Sequence, residues 1–256
     1  MAKLEIHQFP CLSDNYGVLI HDAERGVTAA IDAPNADQVK TALAEKGWKL
    51  TYILTTHHHA DHTDGNLALK AETGCVIIGP KGEAGKIPGI DTEVGEGDAF
   101  RLGSFQVHVL ETGGHTLGHV SYWIPAAGVA FVGDTIFAMG CGRVIEGTME
   151  QMYASLEKLA KLPPATRLYC GHEYTVANAK FALGIEPGNA ALVKRAEEVQ
   201  KLRAAGKPTL PTRLDVELET NPFLRWNSPE IRQRLGLEGA DNWKVFAEVR
   251  ERKNRS

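Results

Sequence analysis

Thr55-Thr56-His57-His58-His59-Ala60-Asp61-His62 puts five potential metal ligands into six residues. A neutral imidazole offers a ring nitrogen near pH 7, and Asp offers a hard anionic oxygen. The apolar run Tyr52-Ile53-Leu54 leads into the cluster, and Gly65-Asn66 then Leu67-Ala68-Leu69 follow it. That order predicts a buried strand over 52–56, a ligand-bearing loop, and a helix over 64–72. Side chains alternate along an extended segment, so His57 and His59 would point one way and His58 the other. Asp61 and His62, on the turn beyond, can reach a neighbouring position, and the spacing suggests two ions side by side. A purification tag also gives consecutive histidines, but tags sit at termini and this run lies well inside the chain.

The rest of the composition narrows the class. A chain of 256 residues allows one large domain, or one domain with a small appendage. Its 43% hydrophobic and 23% charged residues are ordinary for a globular protein. A formal charge of −4 argues against a general nucleic-acid binder. No apolar run approaches the roughly 20 residues that span a bilayer, and the first residues lack the apolar core of a secretory signal. Cys11, Cys75, Cys141 and Cys170 are widely spaced, which suits reduced thiols of a cytoplasmic protein. No partnership with nucleic acid or membrane is expected. A monomer is expected, with a dimer left open.

Working outward from the cluster, short strands are predicted at 4–9, 17–21 and 27–32, with a helix over 35–46 stopped by Gly47. A strand at 75–78 precedes residues 80–99, which are glycine-rich and read mainly as loop. Strands return at 99–102, 105–111, 120–124 and 129–133, then a helix over 149–162 and a strand at 167–170. After residue 172 the pattern is helical, at 174–183, 190–205, 229–235 and 241–252, and no convincing strand remains. Strand–helix alternation followed by helices alone predicts an α/β layered domain over 1–173 and a smaller helical domain over 174–256.

Three more ionisable residues share the context of the cluster. Phe105–Glu111 runs into Gly113-Gly114-His115, Val129–Val132 into Gly133-Asp134, and Leu168–Cys170 into Gly171-His172. Each is an apolar strand, a glycine and an ionisable side chain, and ligands in open α/β sheets gather at C-terminal strand ends. Any one alone is weak, because an Asp after a strand is more often a cap or turn residue. Together His57, His59, His115, Asp61, His62, His172 and Asp134 suit two zinc-like ions. Each ion would take three ligands of its own and share Asp134, with water completing the coordination as in catalytic centres.

This set, His57-x-His59-x-Asp61-His62 with His115, Asp134 and His172, resembles the metallo-β-lactamase superfamily pattern, with every ligand position filled. Gly133-Asp134-Thr135-Ile136-Phe137, Gly140-Cys141-Gly142-Arg143, Glu146-Gly147-Thr148, Gly171-His172-Glu173-Tyr174-Thr175 and Val249-Arg250-Glu251-Arg252-Lys253-Asn254 resemble the glyoxalase II (hydroxyacylglutathione hydrolase) family. The likeness runs over nearly the whole chain. It implies an αββα sandwich with a dinuclear site at its edge and a smaller C-terminal all-helical domain over the substrate. By the same likeness one ion takes His57, His59 and His115, the other Asp61, His62 and His172, and Asp134 bridges. The implied ions are zinc, iron or manganese, zinc foremost, and the implied substrate is S-D-lactoylglutathione, an intermediate of methylglyoxal detoxification.

Thioester hydrolysis suits such a site. Two cations make hydroxide available at neutral pH and stabilise the tetrahedral intermediate, and a thiolate leaves without a strong acid. Asp61 and Asp134 are then the side chains closest to the chemistry, attack coming from a metal-bridging hydroxide. Cys141 and Cys170 read as packing residues, since neither pairs with a free His. The likeness nominates Arg143, Tyr174, Arg250 and Lys253 as contacts for an anionic glutathione moiety. It also shows a departure, Ile145 where the family often has Tyr, which removes one hydroxyl donor. The plain alternative for Arg250 and Lys253 is a basic last helical turn complementing the helix dipole. His58 and His119 read as supporting residues. Among enzymes, a glutathione persulfide dioxygenase or another hydrolase on the same scaffold is the competing reading.

Overall fold

Four side chains from four adjacent strands form one buried row, and they set the first sheet. Leu19 pairs with Ala30, Ala30 with Ile53 and Ile53 with Ile77, all at most 1% exposed. The structure is a computed structural model that describes residues 3–256. The strands carrying the row are β2 (Asn15–Asp22), β3 (Val27–Ile31), β4 (Tyr52–Leu54) and β5 (Val76–Pro80), flanked by β1 (Leu4–Cys11) and β6 (Thr92–Val94) in the order β1-β2-β3-β4-β5-β6. β1 to β3 pair antiparallel; β3 to β6 pair parallel.

Parallel neighbours need crossovers, and helices supply them. α1 (Ala36–Lys46) joins β3 to β4; the short α2 (Ala60–Thr63) and α3 (Asn66–Thr73) join β4 to β5. Asn35 caps α1 by accepting from Gln38 N, and Gly47, at φ 66°, ends it. Val39, Ala42 and Leu43 of α1 and Leu69 of α3 pack onto the Leu19–Ala30–Ile53–Ile77 row. Truncating Ile53 to Ala would cost about 3 kcal/mol.

The opposite face carries a second register row, Val18–Ile31–Leu54–Ile78. An antiparallel ladder, β10-β9-β8-β7, comprises β7 (Ala99–Leu102), β8 (Phe105–Glu111), β9 (Val120–Ile124) and β10 (Val129–Gly133). Tyr122 of β9, fully buried, donates its hydroxyl to Thr55 O at 2.7 Å, tying this ladder to the end of β4.

By spatial contact the chain forms two units. One holds the chain up to Glu111 together with Thr116–Gly133, and the other holds Thr112–His115 with Asp134–Ser256. The second contains β11 (Ile136–Phe137), β12 (Gly140–Cys141), α4 (Met149–Ala160), β13 (Arg167–Cys170), α5 (Thr175–Ile185), α6 (Ala190–Ala204), β14 (Thr212–Arg213), α7 (Leu214–Thr220), α8 (Pro229–Leu235) and α9 (Asn242–Asn254). Met139 sits with Ala179, Ala182, Leu192, Ala196 and Val199 in one buried cluster of this unit.

Several expectations are corrected. The strand predicted over 52–56 stops at Leu54, because Thr56 N bonds the Asp32 carboxylate at 2.7 Å instead of continuing a ladder. The helix predicted at 64–72 starts at Asn66, and Asp61 and His62 lie on α2 rather than an open turn. Residues 80–99 contain a 3-10 helix, Lys81–Lys86, and β6. The tail is not wholly helical: β14 pairs antiparallel with β13, and two residues are too few to show a strand period. α7 was not expected; Leu214, Val216 and Leu218 alternate with acidic residues as a strand would, yet the segment is helical.

Candidate metal centre

In the first unit, β3 and β4 end side by side and deliver the cluster. Asp32, at φ 56° and 5% exposed, follows β3. Its Oδ1 accepts from Thr56 N at 2.7 Å; its Oδ2 accepts from Thr56 Oγ1 at 2.9 Å and faces His62 Nδ1 at 2.8 Å. This carboxylate fixes the chain on both sides of the three histidines. Gly133 is required at the end of β10, since a Cβ there would meet His119 Nε2 and Thr56 Oγ1, each at 2.6 Å.

The alternation read from the cluster is present although residues 55–59 have left the strand. His57 Nε2 and His59 Nδ1 lie 3.2 Å apart. His58 turns away, its Nδ1 2.7 Å from Glu83 Oε2, which also accepts from His58 N at 2.8 Å. The Glu83 Oε1 accepts from Gly118 N at 2.8 Å, so one buried carboxylate ties the cluster to the loop before β9. His119 stacks on His57, ring centroids 4.9 Å apart. Asp61 Oδ2 is 3.6 Å from His62 Nε2, and Asn15 Nδ2 holds Asp61 through its carbonyl and its carboxylate. Donor atoms of His57 and His59, of His57 and His62, and of Asp61 and His62 each lie within 4.8 Å.

The second unit carries the other three. His115 Nδ1 is 2.8 Å from Arg143 O, and its Nε2 is 3.5 Å from Asp134 Oδ2. His172 Nε2 is 3.3 Å from the same oxygen. All three are buried.

The donor chemistry tests whether these groups fit a metal. With Nδ1–H committed to Asp32 or to the Arg143 carbonyl, His62 and His115 each turn an Nε2 lone pair toward a carboxylate oxygen. Acceptors facing each other at 3.5 and 3.6 Å are beyond hydrogen-bond length and repel unless a cation lies between them. Ligands at about 2.0–2.1 Å around a tetrahedral ion sit about 3.4 Å from one another, which matches. The donor chemistry of these groups fits divalent ions.

A cavity of about 490 Å³ in the second unit opens onto His115 and Asp134 and is walled by Phe137, Arg143, Tyr174, Arg250 and Lys253. All four residues nominated for substrate contact therefore line it. The Tyr174 ring lies flat on His172, centroids 4.7 Å apart at 2°. Lys253 Nζ donates to Ala177 O at 3.3 Å and sits over Phe181; burial, then Arg250 and Arg143, pulls its pKa below the ordinary lysine value. Arg250 is only 4% exposed. Ile145 is 58% exposed and does not line the cavity. Cys141 is pushed up to about 11 by burial, against the pull of Arg250, and burial raises Cys170 further, so neither thiol is poised as a nucleophile.

Asp32 and Glu83 were not singled out in the sequence. Asp32 carries the same signal as Asp134, an ionisable residue after an apolar strand, and could have been found. Glu83 lies in a glycine-rich stretch with no local signal.

The pattern described as Metallo-beta-lactamase superfamily matches residues 25–172, and that described as Hydroxyacylglutathione hydrolase C-terminus matches residues 173–256. The chain is 57% identical to a hydroxyacylglutathione hydrolase from Brucella anthropi over 252 residues, covering 98% of this chain and 97% of that one. It is 56% identical to the protein of the same name from Brucella ovis, covering 98% of both. Among solved structures it is similar to ETHE1 from Myxococcus xanthus, with a TM-score of 0.70 and 26% identity over 98% of this chain and 91% of that one.

Proposed function

This chain belongs to the hydroxyacylglutathione hydrolase family of the metallo-β-lactamase superfamily, and on that premise we propose how its own residues carry the activity. It is a thioester hydrolase of the glyoxalase II kind, with the metallo-β-lactamase fold and a helical C-terminal region. Its substrate is S-D-lactoylglutathione, cleaved to D-lactate and glutathione in methylglyoxal detoxification. His57, His59 and His115 would hold one divalent ion and Asp61, His62 and His172 a second, with Asp134 serving both sets. The ions are zinc, with iron and manganese as the alternatives that elemental analysis separates. The observation carrying this reading is Asp134 Oδ2, which faces His115 Nε2 at 3.5 Å and His172 Nε2 at 3.3 Å.

When bound, such ions lower the pKa of water into the neutral range and polarise the thioester carbonyl. The chain's own groups do the rest. Asp32 and the Arg143 carbonyl hold His62 and His115 in the tautomer whose Nε2 carries the lone pair a metal would use. Asp61 and Asp134 supply the anionic oxygens beside the reacting carbonyl. Arg143, Lys253 and Arg250 give the cavity positive charge for the glutathione carboxylates, and Tyr174 adds a ring face and a hydroxyl. No acid is needed, because thiolate is a good leaving group. Residues 1–173 form the catalytic domain and 174–256 the substrate-binding domain. On this reading the enzyme works in the cytoplasm as a monomer, with a dimer the alternative; among the described residues no helix is long and apolar enough to cross a membrane.

The test is hydrolysis of S-D-lactoylglutathione alongside elemental analysis. Turnover with two metal ions per chain, lost on chelation and restored by zinc, is expected. Metal-loaded protein that leaves the thioester intact, or that instead consumes oxygen with glutathione persulfide, overturns the reading.

A further inference from the structure

The turn after Asp134 is gripped by side chains from distant parts of the tail. β11 and β12 form a hairpin of two residues a side, with Met139 at φ 53° in its bend. So short a ladder holds little on its own. Asn178 of α5 donates to Ala138 O at 3.2 Å, and Asn221, just past α7, donates to Phe137 O at 3.2 Å and Gly140 O at 2.9 Å. Glu217 of α7 accepts from Met139 N at 2.9 Å and is itself bonded by Arg195 and Thr212. Arg250 of α9 donates from Nη1 to Cys141 O at 2.9 Å.

The Cys141 end of this hairpin leads directly to the metal ligands. Gly142 N donates to Thr135 O at 3.2 Å, and Gly142 lies so close that a Cβ on it would fall 1.9 Å from Asp134 O. One residue on, Arg143 O receives His115 Nδ1. Arg250 is thus separated from His115 by one hydrogen bond, a two-residue step of backbone and a second hydrogen bond.

We infer that Arg250 is a positioning residue as well as a cavity cation: it holds the Cys141–Arg143 turn and through it the orientation of His115. This rests on the metal and hydrolase reading above. Two of its guanidinium nitrogens are engaged, Nη1 on Cys141 O and Nε on Asn254 Oδ1 at 3.1 Å, and the group lies over Phe223 at 5.1 Å. The side chain needs Arg, since a fork that donates in two directions while stacking on a ring is beyond a single ammonium. Lys253, half-buried, and Arg143, exposed, are the other cations of the same cavity.

The experiment compares Arg250→Ala, Arg250→Lys and Lys253→Ala for kcat, KM and the rate at which zinc-loaded protein loses zinc to excess chelator. Losing a group that orients a ligand costs about 10- to 100-fold in metal affinity or activity. Arg250→Ala should lose zinc about tenfold faster or more and lower kcat to a similar extent, whatever the loss of a cavity charge does to KM. Arg250→Lys should fall between it and the parent. Lys253→Ala should raise KM with zinc release unchanged. Should Arg250→Ala fail to fold, Arg250→Lys decides: faster zinc release supports the inference, unchanged release overturns it. A tenfold rise in KM for Arg250→Ala with kcat and zinc release unaltered also overturns it. Parent enzyme that is inert toward the thioester would sink the functional reading alone, and zinc release would still decide the role of Arg250.

Discussion

Asp32 Oδ2 lies 2.8 Å from His62 Nδ1, and the other oxygen of the same carboxylate accepts from Thr56 N at 2.7 Å. One buried anion therefore orients the His62 ring and sets the path of the chain into the histidine cluster. Asp32→Asn keeps a residue that tolerates a left-handed φ but gives up the charge. It should fold normally and bind zinc about 10- to 100-fold more weakly, read by chelator competition. Asp32→Ala adds strain and orphans Thr56 N, and should lose about 2–4 kcal/mol in denaturant melts of the metal-free protein. Unchanged zinc affinity in Asp32→Asn would show that the carboxylate is only a backbone cap.

Glu83 holds His58 by side chain and backbone and holds Gly118 N with its other oxygen. Removing it leaves these donors facing a buried gap. Glu83→Ala should cost about 3 kcal/mol in a chemical melt. His58→Ala should retain two metal ions per chain, because its Nδ1 is taken up by Glu83. His59→Ala or Asp134→Ala should lose metal and bring turnover to background. Metal loss in His58→Ala equal to that in His59→Ala would reverse the assignment of faces.

These two carboxylates mark how far the sequence could be read. The proposed ligands His115, Asp134 and His172 were legible because each follows an apolar run that is itself a strand, and His57 to His62 because ionisable residues crowd just beyond one. Asp32 has that context too, but the pattern runs the strand through it, and its role depends on a φ of 56° that no neighbour dictates. The β11–β12 hairpin was out of reach for a different reason. Its backbone partners Asn178, Glu217, Asn221 and Arg250 lie 40 to 109 positions away, so nothing local encodes it. The α7 helix misleads by alternation, and packing overrides the local pattern there.

All four cysteines are buried free thiols, and burial leads the causes that raise each pKa, Cys141 to about 11. A thiol with a raised pKa carries less thiolate at any given pH, so alkylation is slowed by chemistry as well as by access. Iodoacetamide at pH 7.5 should leave the native enzyme unmodified and fully active, and should add four groups per chain after denaturation without reductant. Rapid inactivation through one cysteine would restore a thiol to the mechanism; fewer than four groups would reveal a disulfide.

Lys253 is the cation whose charge the cavity makes sensitive to pH. Burial, then Arg250 and Arg143, holds its pKa below the ordinary lysine value of 10.5. An amine is charged below its pKa, so KM should be flat near neutrality and rise on the alkaline side sooner than an ordinary lysine would allow. The substrate's own amine also titrates in that range, which Lys253→Arg controls for, since guanidinium stays charged throughout. The alkaline rise in KM between pH 7 and about 10 should shrink in Lys253→Arg, and Lys253→Ala should have a raised KM already at pH 7. If parent and Lys253→Arg rise together, the effect belongs to the substrate, and Lys253 is not the charge that holds it.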